Sequence, residues 1–261
     1  EAGVRMLVLD RPNPIGGEIL EGPIAAQTGS PVCCAPIPAR HGMTLGELAL
    51  FFQQTTPELK KLTVELSPAA NWTRELMHPA CALPWIPPSP NIPDTDTAVL
   101  YVGACLFEGV NLNEGRGTDI PFQLVGAPWL EARAVLEGVA PKYATGCELD
   151  SVTYTPRAIP GKASAPEYEG QECRGICITI RQREQIRAFG LTVALLRAIW
   201  QRHGKRLEFT PMFDTLAGGP WLREQIVSER PVDDILGEIA VSLDVFKKSS
   251  PARYVTRAQW Q

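Results

Sequence analysis

The stretch from Cys105 to Thr118 holds a dense set of residues that could do chemistry. Its sequence, CLFEGVNLNEGRGT, contains the carboxylates of Glu108 and Glu114, the amides of Asn111 and Asn113, the guanidinium group of Arg116 and three glycines. Glycine lets a backbone adopt positive φ and approach a ligand closely. Carboxylates and amides can hydrogen-bond a polyhydroxylated molecule. The pattern indicates a ligand-binding loop, and the alternative is a polar surface turn closed by a Glu–Arg pair.

A second set of polar residues follows the first apolar run of the chain. Residues Val4 to Asp10 are typical of a buried parallel strand. Ligands bind beyond the carboxyl ends of such strands, where Asp10, Arg11 and Asn13 would lie. The alternative is a Pro/Gly turn that Asp10 caps.

His41 precedes a predicted helix. Thr44 and Glu47 have the spacing of a capping box, so a helix is predicted from there to about Gln54. A helix N-terminus favours a neutral imidazole and attracts anions. His41 could therefore hydrogen-bond a substrate or act as an acid or base. The alternative is a histidine that ties down the loop.

The segment Pro84–Pro93, PWIPPSPNIP, is rich in proline, which imposes a stiff, extended path. Trp85 offers a flat apolar surface that suits a sugar ring. Asn91 offers both a hydrogen-bond donor and an acceptor. The alternative is a wall braced by prolines, with Trp85 in the core.

Composition limits the classes of function. The net charge of −4 over 261 residues argues against nucleic-acid binding, which usually needs a basic surface. No apolar run approaches the roughly 18 residues of a membrane span. The seven cysteines are odd in number and include no CxxC, so we interpret most as free or buried thiols.

The elements that must position these residues point to an α/β protein. We predict part of a Rossmann-like domain with a parallel sheet over residues 1–135 and a smaller α+β domain over residues 136–261. The predicted elements of the second part are strands at 148–155 and 175–180 and helices at 185–203, 221–227 and 232–246. Short helices are also predicted at 72–77 and 128–137. A nucleotide site is disfavoured, because no GxGxxG follows the first strand.

Several motifs occur together and in order: DRPNPIGG, RHGMTLGELA, WIPPSPNIP and CLFEGVNLNEGRGTDIPF, followed by ECRGICI, FDTLAGG and DDILGEI. With them, the sequence resembles the NamZ-like exo-β-N-acetylmuramidases over nearly its whole length. The resemblance implies a Rossmann-like N-terminal domain, a smaller C-terminal α/β domain and an active cleft between them. It also implies a peptidoglycan-recycling glycosidase that releases N-acetylmuramic acid from non-reducing ends, with no metal or cofactor, in the periplasm or outside the cell.

The resemblance also suggests roles for individual residues. Glycoside cleavage usually uses two carboxyl groups, one of which protonates the leaving oxygen. The expected catalytic residues are Glu108, Glu114 and His41, and the expected substrate-binding residues are Asp10, Arg11, Asn13, Trp85, Asn91, Asn111 and Arg116. Arg116 could recognise the lactyl carboxylate of muramic acid through a bidentate contact. The simpler alternatives are that Glu108 orients a backbone group or binds a sugar hydroxyl, and that Glu114 forms an ion pair with Arg116.

One departure from the family pattern leaves a second interpretation open. Members of the family carry a segment before the DRPNP motif that includes a P-E-H-G motif, whose glutamate is the suspected catalytic residue. This chain contains no P-E-H-G. The first strand also needs parallel neighbours, so we expect the chain to start within a domain. The alternative to an enzyme is therefore a truncated or diverged module that binds a muramyl sugar without cleaving it.

Overall fold

The computed structural model describes residues 5–249 and contains both helices and strands. In chain order, the elements are β1 (Met6–Leu9), α1 (Leu45–Thr55), β2 (Val64–Ser67), α2 (Thr95–Ala104), β3 (Leu124–Ala127), α3 (Ala132–Glu137), β4 (Cys147–Tyr154), β5 (Cys173–Ile180), α4 (Ala188–His203), α5 (Pro211–Leu216), α6 (Trp221–Val227) and α7 (Val232–Ser249). Short 3-10 helices occur at Pro57–Leu59, Cys105–Gly109, Pro141–Ala144, Arg183–Gln185 and Gly204–Arg206. A mixed α/β fold was predicted and is confirmed.

The chain divides into two compact units that alternate along the sequence. The first unit is built from described residues of Glu1–Leu20, Arg40–Trp85 and Val241–Gln261. The second unit comprises Glu21–Ala39 and Ile86–Ala240. The division into domains at residues 1–135 and 136–261 stays a prediction.

The first unit contains a parallel pair of strands. β1 pairs with β2 in parallel, with Met6 opposite Val64 and Leu9 opposite Ser67, which confirms the predicted strand type. Val4, also predicted in this strand, lies outside the described residues. Burial of the whole strand was wrong: Val8 is buried, whereas Leu7 and Leu9 are exposed. Side chains alternate between the two faces of a strand, and Leu7 and Leu9 share the face that is open to solvent.

Helix α1 begins at the predicted capping box. The Thr44 hydroxyl accepts a hydrogen bond from the Glu47 amide, and the Glu47 carboxylate accepts one from the Thr44 amide. These reciprocal bonds satisfy two amide groups that a helix leaves without partners. The predicted helix at 72–77 was wrong, because the chain forms separate turns there. The Leu76 amide donates to the Thr73 carbonyl oxygen at 3.1 Å, the three-residue spacing of a turn rather than the four-residue spacing of an α-helix.

The second unit contains an antiparallel sheet with the strand order β3-β5-β4. Leu124 of β3 lies opposite Cys177, and Cys147 of β4 lies opposite Ile180. As the central strand, β5 buries Cys173 and Ile176 completely. The predicted strands at 148–155 and 175–180 therefore correspond to β4 and β5.

Helices α2 and α4 pack closely in the second unit. A Cβ atom added at Gly103 of α2 would lie 2.3 Å from the carbonyl oxygen of Ala188 in α4. Helix α4 buries Leu195, Leu196 and Ile199, as its predicted apolar surface indicated. The helix predicted from Pro128 starts later, at Ala132, and the Leu130 side chain before it is fully buried. Among residues 5–249, no helix combines the length and apolarity needed to cross a membrane.

Candidate functional site

The stretch singled out in the sequence forms a tightly turned loop in the second unit. Residues Cys105–Gly109 form a 3-10 helix that continues directly from α2. Gly115 and Gly117 then adopt φ values of +83° and +84°, which favour glycine. A Cβ atom at Gly117 would lie 2.7 Å from the Arg157 carbonyl oxygen. The predicted need for glycine is therefore confirmed at these two positions.

Asn113 fixes the shape of this loop and is fully buried. Its Nδ2 atom donates to the carbonyl oxygens of Arg116 and Glu167, at 3.1 and 3.0 Å. Its Oδ1 atom accepts from the Gly115 amide at 2.9 Å. Because buried polar groups are costly to leave without partners, these bonds favour one loop conformation. The side chains on either side of Asn113 are thereby held in place.

Glu108, Glu114 and Arg116 meet in this loop and form what we call the carboxylate site. The Nη2 atom of Arg116 donates to Oε2 of Glu108 at 2.7 Å, and its Nη1 atom donates to Oε1 of Glu114 at 3.0 Å. The Glu108 side chain is 20% exposed and the Glu114 side chain is 7% exposed. The other carboxylate oxygen of Glu108, Oε1, is buried and has no hydrogen-bond partner among the described residues.

The electrostatic environment shifts the pKa values of Glu114 and Arg116. Burial raises the pKa of Glu114, and the charge of Glu108 adds to this effect, while Arg116 opposes it. Burial lowers the pKa of Arg116, but the carboxylates of Glu114 and Glu108 outweigh burial, so this pKa lies above its ordinary value. Arg116 therefore stays charged, and Glu114 keeps its proton to a higher pH than a free glutamate does.

Two aromatic residues that the sequence analysis did not select complete the carboxylate site. The guanidinium carbon of Arg116 lies 5.0 Å from the centre of the Phe122 ring, and the Tyr101 ring meets Phe122 edge-on at 4.7 Å. Burial and the negative charge of Glu108 raise the pKa of Tyr101. Tyr101 lies seven residues before Glu108 on a helical stretch, and this spacing of two turns could have revealed it. No local pattern marks Phe122.

Cys105 lies beside the carboxylate site and has little thiolate character. Burial, followed by the charge of Glu108, raises the pKa of the Cys105 thiol to about 12. A nucleophilic cysteine needs a depressed pKa. Cys105 therefore acts as a small packing residue here.

Two predicted binding residues of the second unit make structural hydrogen bonds. The Nδ2 atom of Asn111 donates to the Arg206 carbonyl oxygen at 3.0 Å, and its Oδ1 atom accepts from the Glu208 amide at 2.8 Å. Asn91 is buried and donates to the Lys162 carbonyl oxygen at 2.8 Å. Their predicted contacts with substrate stay predictions.

In the first unit, the N-terminus of α1 brings Asp10, Asn13 and His41 together. The carboxylate of Asp10 accepts from the Thr44 hydroxyl and the Gly46 amide, both at 2.8 Å. The Asn13 Nδ2 atom donates to the Met43 carbonyl oxygen at 3.0 Å. The Nδ1 atom of His41 accepts from the Met43 amide at 3.0 Å. A neutral His41 ring therefore carries its proton on Nε2.

The remaining predicted binding residues also lie in the first unit. Arg11 is exposed, and its backbone amide donates to Asp10 at 2.9 Å. Trp85 is half-buried and contacts the His78 ring, with ring centres 5.3 Å apart. Among the described residues, no three His, Cys, Asp or Glu side chains are grouped so that they could hold a metal ion.

Fold and site together define a mixed α/β protein in which one arginine joins two carboxyl groups. The sequence matches the family description "Exo-beta-N-acetylmuramidase NamZ, C-terminal" over residues 99–255. It matches the corresponding N-terminal description over residues 1–96. The chain therefore belongs to the NamZ family.

Known proteins of similar sequence and structure agree with this assignment. The chain is 33% identical over 252 residues to "Peptidoglycan beta-N-acetylmuramidase NamZ" of Bacillus subtilis (strain 168), covering 95% of this chain and 59% of that protein. The chain thus spans well under two thirds of that relative. A DUF1343 family protein of Bacteroides fragilis NCTC 9343 shares the fold, with a TM-score of 0.83 at 23% identity over 97% of this chain and 66% of its own. A second such protein from that organism has a TM-score of 0.74 at 31% identity, over 96% and 66% of the two chains.

Proposed function

We propose that this chain carries the activity of an exo-acting β-N-acetylmuramidase, which releases N-acetylmuramic acid from the non-reducing ends of peptidoglycan fragments. One observation carries the proposal: a chain of the NamZ family holds two carboxyl groups, those of Glu108 and Glu114, on one guanidinium group. Glycoside hydrolysis usually uses such a pair in different protonation states. The name of the Bacillus subtilis relative supports the choice of substrate.

Glu108 is the carboxylate that we assign to direct contact with the sugar. It is the more exposed of the two, with 20% of its side chain exposed against 7% for Glu114. Glu114 is the partner carboxyl group, and its raised pKa suits the group that keeps a proton. Difference in environment, rather than in residue type, gives the two glutamates different roles.

Arg116 fixes the positions of both carboxyl groups. Its two Nη atoms each donate to a different glutamate. The predicted contact with the lactyl carboxylate of muramic acid would require Arg116 to exchange one of these bonds for the substrate. We therefore assign Arg116 first to positioning the pair, and its contact with the lactyl group stays a prediction.

The residues at the N-terminus of α1 are proposed to contribute to substrate binding. His41 would donate from Nε2 to a sugar oxygen, because Nδ1 is occupied by the Met43 amide. The catalytic role of His41 stays a prediction, as do substrate contacts of Asp10, Arg11, Asn13 and Trp85.

We also propose that the protein acts in the periplasm or outside the cell, where cell-wall polymer lies. Fractionation of cells that produce the natural protein tests this location.

The decisive experiment measures release of an aryl group from the aryl β-glycoside of N-acetylmuramic acid. The longest natural form of the protein that contains this chain is compared with its Glu108→Gln variant. We expect turnover by the natural form and a loss of about 100-fold or more in kcat in the variant, because general acid–base groups contribute that much. Glu172→Gln, at an exposed position, is the matched control and should keep full activity.

Two other outcomes have distinct meanings. Saturable binding of N-acetylmuramic acid without turnover would mean that the protein is a sugar-binding module and not an enzyme. Absence of both turnover and binding would overturn the assignment to muramyl substrates. Equal turnover of the N-acetylglucosamine glycoside would show that the lactyl group is not recognised.

A further inference from the structure

Phe122 has an unusual backbone conformation for its residue type. Its φ is +62°, in the left-handed region that residues with a large side chain rarely adopt. The side chain is almost completely buried. Such strained positions persist only where the surroundings enforce them, and they are common at functional sites. The question is therefore what this conformation positions.

The conformation of Phe122 links it to the carboxylate site in two ways. Its backbone amide donates to the Glu114 carbonyl oxygen at 2.7 Å. Its ring lies under the Arg116 guanidinium group, 5.0 Å from the guanidinium carbon. An extended backbone at this position would turn the side chain away from Arg116. The left-handed conformation thus allows one residue to bind the loop and support the guanidinium group.

The Tyr101 ring also contacts the Phe122 ring. The two rings meet edge-on, 4.7 Å apart at an interplanar angle of 75°, an arrangement that aromatic pairs prefer. Tyr101 belongs to α2, which packs against α4. The position of the Phe122 ring is therefore tied to the packed helices of the second unit.

We propose that Phe122, supported by Tyr101, is a positioning residue that keeps the Arg116 guanidinium group centred between Glu108 and Glu114. The side chain of Arg116 is about one third exposed, so water competes for its donors. Without the ring, the guanidinium group could turn towards one carboxylate and release the other. An aromatic face attracts a cation and matches the flat guanidinium group, whereas an aliphatic side chain does neither.

The pKa of the Glu114 carboxyl group depends on the position of the Arg116 guanidinium group. The titratable groups that face it are Arg116 and Glu108 from the same loop and Tyr154 from β4. Burial already raises the pKa of Glu114, and Arg116 counteracts that rise. Loosening the contact with Arg116 therefore shifts the titration of Glu114 to higher pH.

The test follows the Glu114 carboxyl carbon by NMR during a pH titration, with the signal assigned from a Glu114→Gln sample. In Phe122→Leu, we expect the midpoint to rise by about half to one pH unit, the amount that loss of a cation–π contact implies. Phe189→Leu is the matched control, because Phe189 is equally apolar and buried in α4 of the same unit. That variant should leave the midpoint unchanged.

A second pair of variants serves if Phe122→Leu does not fold. Tyr101→Leu removes the ring that supports Phe122, and we expect a shift in the same direction. Tyr101→Phe keeps that ring and should restore the Phe122–Arg116 contact, so its Glu114 midpoint should stay near that of the natural protein. Equal midpoints in Tyr101→Leu, Tyr101→Phe and the natural protein would overturn the proposal.

The consequence for catalysis rests on the proposed function, but the titration does not. The NMR measurement needs no substrate, so an inactive protein can still show the shift. If the natural protein cleaves the muramic acid glycoside, Phe122→Leu should lower kcat more than it raises KM, and the pH profile of kcat should move with the Glu114 midpoint. A shifted midpoint in a protein without turnover would support the positioning role and reject the enzyme assignment.

Discussion

The Nη2 atom of Arg116 lies 2.7 Å from the Oε2 atom of Glu108, although eight residues separate them in the sequence. Gly115 and Gly117, which adopt positive φ, and the buried side chain of Asn113 shape the loop that allows this contact. The same guanidinium group also reaches Glu114. One arginine therefore binds and orients both carboxyl groups of the proposed active site.

Replacing Arg116 by alanine should destabilise the second unit by about 1–3 kcal/mol. Two partly buried carboxylates would lose their cationic partner, although their exposure moderates the penalty for a fully buried pair. Urea denaturation at pH 7 measures the change. The control is Arg181→Ala, which breaks an ion pair with Glu148 that is more than half exposed and should cost clearly less than loss of Arg116, because solvent screens an exposed pair. Equal losses would mean that the Arg116 pairs contribute no more than a surface pair.

Glu114→Gln should alter how stability depends on pH. The folded protein raises the pKa of Glu114 above its ordinary value of 4.5, so it retains this proton after the unfolded chain has lost it. The resulting stabilisation is fully present below pH 4.5 and is lost as pH rises through the folded pKa. The free energy of unfolding of the natural protein, relative to Glu114→Gln, should therefore fall with rising pH.

Urea midpoints between pH 4 and pH 8 give this difference curve. If the free energy of unfolding of the natural protein, relative to Glu114→Gln, rose with pH instead, the charge of Arg116 would outweigh burial in setting the pKa of Glu114.

Thr44→Ala should destabilise the first unit by about 1 kcal/mol. The Thr44 hydroxyl caps α1 and also donates to Asp10 at 2.8 Å, and loss of a threonine cap typically costs this much. Thermal and urea unfolding would show the loss. Thr63→Ala removes an exposed hydroxyl outside α1, so an effect as large in that variant would contradict the capping role.

Two glycine-to-alanine variants should have opposite effects. A Cβ atom at Gly103 would clash with the Ala188 carbonyl group at 2.3 Å, so Gly103→Ala should cost about 1–3 kcal/mol or more, as overpacking does. Gly237 lies in helix α7 with no atom within 4 Å of such a Cβ. Gly237→Ala should therefore stabilise by about 0.5–1 kcal/mol, because alanine favours the helix. Calorimetry of both variants measures the change in stability, and its sign shows whether close packing between helices or helix propensity dominates at each site.

Local signals in the sequence predicted several elements well. The Thr44–Glu47 spacing located the start of α1, and the apolar spacing of α4 located that helix. Glycines at 115 and 117 indicated a tight loop, which their positive φ values confirm. These features depend on interactions between residues close in sequence, so a single chain reveals them.

Other predictions failed because tertiary packing overrode local preference. The start of α3 was predicted at Pro128, yet the helix begins at Ala132, after a turn in which the Leu130 amide donates to the Ala127 carbonyl oxygen at 3.2 Å. The backbone partners of the Asn111 amide, near residue 207, were also not predicted, while its contact with substrate stays a prediction. Such partners lie far away in sequence and leave no local trace.

The sequence by itself determined the residue types of the carboxylate site, because Glu108, Glu114 and Arg116 fall within one short glycine-rich stretch whose motif also marks the family. Tertiary structure alone decided how they work. It placed Phe122 against Arg116 and Tyr101 against Phe122, and it buried Glu114 more deeply than Glu108. The pKa of a carboxyl group depends on its burial and on charges that surround it in three dimensions, which the order of residues does not specify.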